Sequence, residues 1–173
     1  MEIWGSADFP TSGLWNVHGK FLTHAVYANG VTMHISGDFP NGIKFIGSKG
    51  WVFVARSGEM TTPTSTGKDS AAVTTGLDAS DSKILASEIG PNEIHLYRSP
   101  EQHRNWLDSM KTRAPNAAPA EIAHRACSTC LLHFIAMHLK RKLYWDPETE
   151  RFKNDDEANA MLSRPQRTPY TFG

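Results

Sequence analysis

The chain has 173 residues, the size of one ordinary domain. Its 18 Lys+Arg balance 18 Asp+Glu, with eight His left to titrate near neutrality. That balance excludes the basic excess of a phosphate-backbone binder and the polybasic face of a membrane-surface protein. No apolar run approaches the ~20 residues of a bilayer span, and residues 1–15 lack the basic and apolar regions of a signal peptide. Two Cys neither build a disulfide framework nor fix a compartment, so the cellular location stays open.

The first half reads as strands, from about residue 20 to 98. Lys20–Ala28 and Val31–Gly37 flank Asn29-Gly30, a strong hairpin signal. A two-residue turn there pairs Ala28 with Val31, Val26 with Met33 and His24 with Ile35. It predicts a core face of Leu22, His24, Val26, Ala28, Val31, Met33 and Ile35. The opposite, mixed face then holds Phe21, Thr23, Ala25, Tyr27, Thr32, His34 and Ser36, and suits a sheet-to-sheet contact between two copies. A second hairpin joins Ile43–Ile46 to Trp51–Ala55 through Gly47-Ser48-Lys49-Gly50. Residues 57–83 lose periodicity and read as a long loop, rich in Thr, Ser, Gly and Ala. Short strands are expected at Lys83–Glu88 and Glu93–Tyr97.

The second half reads as helices, from about 99 to 162. Ser99-Pro100-Glu101-Gln102 forms a capping box with Pro at the first helical position. The following helix carries a core stripe of His103, Trp106, Leu107 and Met110. A longer helix runs from about Ala120 to Lys140. Its wide apolar band includes Ile122, Ala126, Cys130, Phe134 and Met137, with Ala123, Cys127, Leu131 and Ile135 beside it, and predicts burial on more than one side. Trp145-Asp146-Pro147 starts a turn, Asn154 with Glu157 caps a short helix to Leu162, and the tail 163–173 is extended. Strands followed by helices, without βαβ alternation, give an α+β class: one domain over 1–173, with an open, predominantly antiparallel sheet and helices on one face.

The chemistry-bearing patterns are sparse. No two glycines are two apart and Gly67-Lys68 lacks an upstream P-loop glycine, so the chain carries no nucleotide cradle. Cys127-Ser-Thr-Cys130 is a lone C-x-x-C well inside a helix. It reads as buried small hydrophobes rather than a redox pair or a metal site. His24 and His34 fall on opposite hairpin faces in the expected register, which excludes them as a metal pair. Ser65-x-x-Lys68 and Ser80-x-x-Lys83 match a nucleophile spacing by chance in a Ser/Thr-rich stretch. His124 and Arg125 start the long helix; His124 either bonds a backbone carbonyl at a packing seam or lies near a ligand pocket. The loop Phe9–His18 gathers Trp15, Asn16 and His18, suited either to stacking on and bonding a sugar or polyol, or to plugging a sheet edge. The residues alone supply no catalytic set.

Several ordered segments resemble the C-terminal domain of the glucose–fructose oxidoreductase / inositol dehydrogenase (Gfo/Idh/MocA) family, in its bacterial subgroup. They are Tyr27-Ala-Asn-Gly-Val31, Ser36-Gly-Asp38, Phe45-Ile-Gly-Ser-Lys-Gly-Trp-Val-Phe53, His103-Arg-Asn-Trp-Leu-Asp108, Glu121-Ile-Ala-His-Arg125, Arg141-Lys-Leu-Tyr-Trp-Asp-Pro147, Asn154-Asp-Asp-Glu-Ala-Asn159 and Leu162-Ser-Arg-Pro165. The resemblance implies an open antiparallel sheet whose free face makes oligomer contacts, as a homodimer or higher homo-oligomer. It also implies a partner N-terminal Rossmann domain that binds NAD or NADP and supplies the family's catalytic Lys. These 173 residues then form the substrate-side and oligomerisation domain of an oxidoreductase acting on a sugar or polyol, without that nucleotide-binding domain. On this reading they hold no catalytic residue, bind no cofactor, nucleic acid, metal or membrane, and are inactive alone. Some relatives use the same oxidation to cleave glycosides. His124-Arg125 corresponds to the family's HR helix start, which lines the cleft or docks the nucleotide domain. A free-standing binding or scaffold domain without activity is the alternative.

Overall fold

The computed structural model describes residues 1–55 and 76–170. They divide into two compact units, with the division falling inside one helix between Thr129 and Cys130. The α+β class and the antiparallel pairing hold in both.

The first unit is built from both ends of the chain. Its five strands are β1 (Glu2–Ala7), β2 (Phe21–Val26), β3 (Thr32–Ser36), β7 (Leu143–Asp146) and β8 (Arg151–Phe152), ordered β3-β2-β1-β7-β8 with every pairing antiparallel. Three of these strands lie outside the stretch the sequence pattern assigns to strands. One sheet face is buried. Ile3, Ala25, Leu143, Trp145 and Phe152 pack there with Leu132, Ile135 and Ala136 of helix α3 (Ala120–Leu139) and with Ala158 of helix α4 (Asp156–Ala160). The helices of this unit thus cover one face of the sheet, as expected. Gly5 is required on that face: a Cβ there would sit 2.7 Å from the Leu22 carbonyl oxygen, so β1 and β2 approach only without a side chain.

The β2–β3 hairpin corrects the expected register by one residue. Thr23 pairs with Ile35, His24 with His34 and Ala25 with Met33. The loop takes three residues, Ala28-Asn29-Gly30, closed by Gly30 N–H donating to Tyr27 O at 3.0 Å and Tyr27 N–H donating to Val31 O at 2.9 Å. Gly30 adopts φ +84°, the bulge position of a three-residue hairpin. A one-residue slip exchanges the faces of β2 relative to β3, while Met33 packs against the core as expected. Thr23 and Ala25, expected outside, are buried, while Leu22 is exposed and His24 and Val26 are half-buried. Gly30→Val is expected to cost about 1–2 kcal/mol, because a β-branched residue resists positive φ. Thermal melting checks this, and an unchanged midpoint would exclude the turn geometry.

The second unit holds β4 (Ile43–Gly47), β5 (Gly50–Val54) and β6 (Leu77–Ala79) in one antiparallel sheet, ordered β4-β5-β6. The β4–β5 hairpin matches expectation, with Gly47 opposite Gly50. Helix α1 (Ser82–Leu85), capped by the Asp81 carboxylate, replaces the strand expected at Lys83–Glu88, and no strand forms at Glu93–Tyr97. Helix α2 (Gln102–Thr112) is capped by Glu101 rather than Ser99; its side chain accepts from His103 N–H and Arg104 N–H. The expected core stripe of α2 is exposed, with Trp106 at 56%. The polar Asn105 is less exposed, donating to Tyr97 Oη at 2.6 Å and accepting from Ala117 N–H at 2.9 Å. The first half of α3 is exposed as well, and its burial begins only at Leu132.

Candidate functional site

The outer face of the first unit's sheet carries its densest group of chemically active side chains. Cross-strand register sets Trp4 opposite His24, and His24 opposite His34, along one row. The imidazoles of His24 and His34 meet with Nδ1 atoms 2.5 Å apart and ring centroids 4.7 Å apart at 82°. His24 stacks on Trp4 at 5.3 Å and 22°. On the other side of Trp4, Lys142 sets its Nζ 4.8 Å from the ring centroid and donates to Glu2 at 2.9 Å. Contact with Glu2 holds the Lys142 ammonium above its ordinary pKa. Desolvation first, and the neighbouring His34 second, hold His24 below its ordinary value. The expectation that His24 and His34 lie on opposite faces is therefore corrected. The cause is the bulged three-residue turn, which the Asn-Gly signal alone does not distinguish from a two-residue one. Beside this row, Met1, Glu2, Val26, Tyr27, Ala28, Tyr144, Trp145 and Lys153 line an open cleft of about 260 Å³.

The residues expected to bind substrate are divided between the two units. Trp15, Asn16 and His18 lie on the β1–β2 connection, whose neck is closed by Asp8 N–H donating to Lys20 O at 2.9 Å and Gly19 N–H donating to Asp8 O at 2.7 Å. Trp15 and Asn16 are exposed. His18 instead packs edge-on against Phe9 and Phe21, and Phe9 stacks on His138 at 4.0 Å. His124 and Arg125 belong to the second unit, on the first turns of α3. Both are exposed, and Arg125 Nε donates to Glu121 Oε1 at 2.8 Å.

Cys127 and Cys130 are exposed, which corrects their expected burial: both precede Leu132, where the buried stretch of α3 begins. Ser80 Oγ accepts from Trp51 N–H at 3.0 Å, a structural bond between β5 and the end of β6. Ser65 and Lys68 lie outside the described residues. Among the described residues no three His, Cys, Asp or Glu side chains gather to hold a metal, and no helix is long and apolar enough to cross a membrane.

The segments around 141–159 form a structural lock. Arg141 binds the Asp155 carboxylate through two nitrogens and reaches Glu157 at 2.7 Å. This pairing raises the guanidinium pKa and lowers that of Asp155. Asp155, not Asn154, caps α4, accepting from Ala158 N–H at 3.0 Å. The Asn159 amide accepts from Phe152 N–H at 2.8 Å and donates to Phe152 O at 2.9 Å, serving an edge strand as a further strand would.

A family model described as "Oxidoreductase family, C-terminal alpha/beta domain" matches residues 68–172, a span that includes this lock and all of α2, α3 and α4. The resembling segments from Tyr27 to Phe53 precede the matched span. No curated protein and no solved structure matches the chain. The match covers more than half of the 173 residues, and the chain belongs to the Gfo/Idh/MocA oxidoreductase family as a C-terminal α/β domain.

Proposed function

We propose that these residues are the substrate-side and oligomerisation domain of an NAD(P)-dependent oxidoreductase acting on a sugar or polyol, working with a Rossmann-type nucleotide-binding domain. Family membership supports the oxidoreductase role. The observation that carries the assembly role is the outer sheet face, where Leu22, Thr32, His34 and Tyr144 are exposed on a regular surface backed by a packed core. Such a mixed surface, with Leu22, Val26, Trp4 and Tyr144 set among imidazole and hydroxyl groups, suits a symmetric contact between two copies. This is not the face expected from the sequence: Phe21, Thr23 and Ala25 give way to Leu22, His24 and Val26. The nucleotide belongs to the partner domain, since the chain offers no glycine cradle for a pyrophosphate. The exposed Trp15 and Asn16, with His18, His124 and Arg125, are the substrate-side residues in this reading.

Light scattering at tens of micromolar, with NADH and NADPH calorimetry on the same sample, tests both halves. The expected result is a dimer or higher oligomer, reduced to one chain by Leu22→Lys, with no saturable nucleotide heat. A mass of one chain for the unaltered protein overturns the assembly role, and micromolar nucleotide binding overturns the division of labour.

A further inference from the structure

We propose that His24 and His34 form a two-imidazole clamp for a borderline divalent transition-metal ion of the zinc, copper or nickel class. The clamp lies on the outer face of the first unit's sheet. Three observations carry it. The residues are direct cross-strand partners, so their Cβ atoms project from the same face at adjacent positions. Their Nδ1 atoms point at each other across 2.5 Å. Imidazole nitrogens bind such a metal at ~2.0–2.1 Å, which separates two of them by about 3 Å at a tetrahedral or square angle. A rotation that opens the present gap by about half an ångström creates that spacing. Finally, the site is ordered on one side by Trp4, whose indole stacks on the His24 ring and limits its rotation.

The chemistry selects the ion. Imidazole suits zinc, copper and nickel, whereas magnesium and calcium demand oxygen ligands. The nearby charges do not oppose a cation strongly, because Lys142 is paired with Glu2. In a single chain, two protein ligands leave the remaining coordination positions to water. The competing arrangement is a single N–H···N hydrogen bond between neutral rings, which needs no metal.

Zinc, copper and nickel chlorides are each titrated into the untagged 173-residue chain, with heat and melting temperature as readouts and magnesium chloride as control. The expected result is one saturable site for at least one of the three ions and none for magnesium. The affinity falls about tenfold or more in His34→Gln and in His24→Gln, as loss of one of two ligands requires. His103→Gln, a nearly fully exposed histidine on α2, leaves it unchanged. His34 is exposed and its replacement leaves the core intact, so folding of that variant is checked by an unchanged melt without metal. Absence of saturable binding for all three ions, or equal affinity in His34→Gln and the unaltered chain, overturns the proposal.

Discussion

Phe152→Ala is expected to remove about 3–5 kcal/mol of stability, the cost of deleting a large aromatic side chain from a closed core. Phe152 is 2% exposed and packs edge-on against Trp145 with ring centroids 5.1 Å apart. It belongs to the same cluster as Ile3, Leu143 and Ala158. The site cannot collapse readily. Both backbone polar groups of Phe152 are held by Asn159, and Asp155, which caps the same short helix, is held by Arg141. A fixed backbone around a missing ring leaves a cavity instead of closing it. For a domain whose whole stability is about 5–15 kcal/mol, that loss is a large share. Urea unfolding of the variant should show a much lower midpoint with an unchanged slope. Phe152→Leu, which keeps most of the volume, should cost clearly less. A loss below about 1 kcal/mol in Phe152→Ala would place this residue outside the core.

What the sequence makes legible here depends on how local the signal is. Alternation in residues 20–37 and 43–55 locates two hairpins, because strand pairing across a short turn is a local event. The register of the first hairpin is a finer matter. Asn29-Gly30 is compatible with a two-residue and a three-residue loop, and the bulge at Gly30 decides that His24 shares a face with His34. The candidate metal clamp is invisible without that decision. The strands β1 and β7 are non-local. Glu2–Ala7 is a short segment interrupted by Gly5, and its status as a central strand comes from pairing with β2 on one side and Leu143–Tyr144 on the other. Trp145-Asp146-Pro147 carries a true turn signal, but the turn follows the strand and does not replace it. Helical periodicity places α2 and α3 correctly while misjudging what they bury. A stripe of Trp106, Leu107 and Met110 marks a helix face, yet periodicity does not say that anything within the chain covers it. The family is legible because it rests on ordered motifs, and the 141–159 group shows why those motifs are demanding: each of Arg141, Asp155 and Asn159 holds another part of the fold.

The same core holds a titratable group that makes stability depend on pH. His133 is 3% exposed, and neither ring nitrogen has a hydrogen-bond partner among the described residues. Burial first, and the field of His24 second, hold its pKa below the ordinary histidine value of 6.5. Above that value the ring is neutral in both the folded and the unfolded chain, and His133 adds no pH dependence. Below it the unfolded chain takes up a proton that the folded chain refuses, so stability falls as the medium is acidified. The slope reaches at most about 1.4 kcal/mol per pH unit and persists down to the folded-state pKa. His133→Leu removes both the proton linkage and the unsatisfied nitrogens, at similar volume. At pH 8 the variant is expected to be more stable by about 1–3 kcal/mol, the penalty of burying unpaired polar atoms. At pH 5 its advantage should widen by up to about 2 kcal/mol. Denaturant midpoints of both proteins at the two pH values measure this directly. A constant difference between pH 8 and pH 5 would mean that the His133 ring takes up its proton equally well in the folded chain.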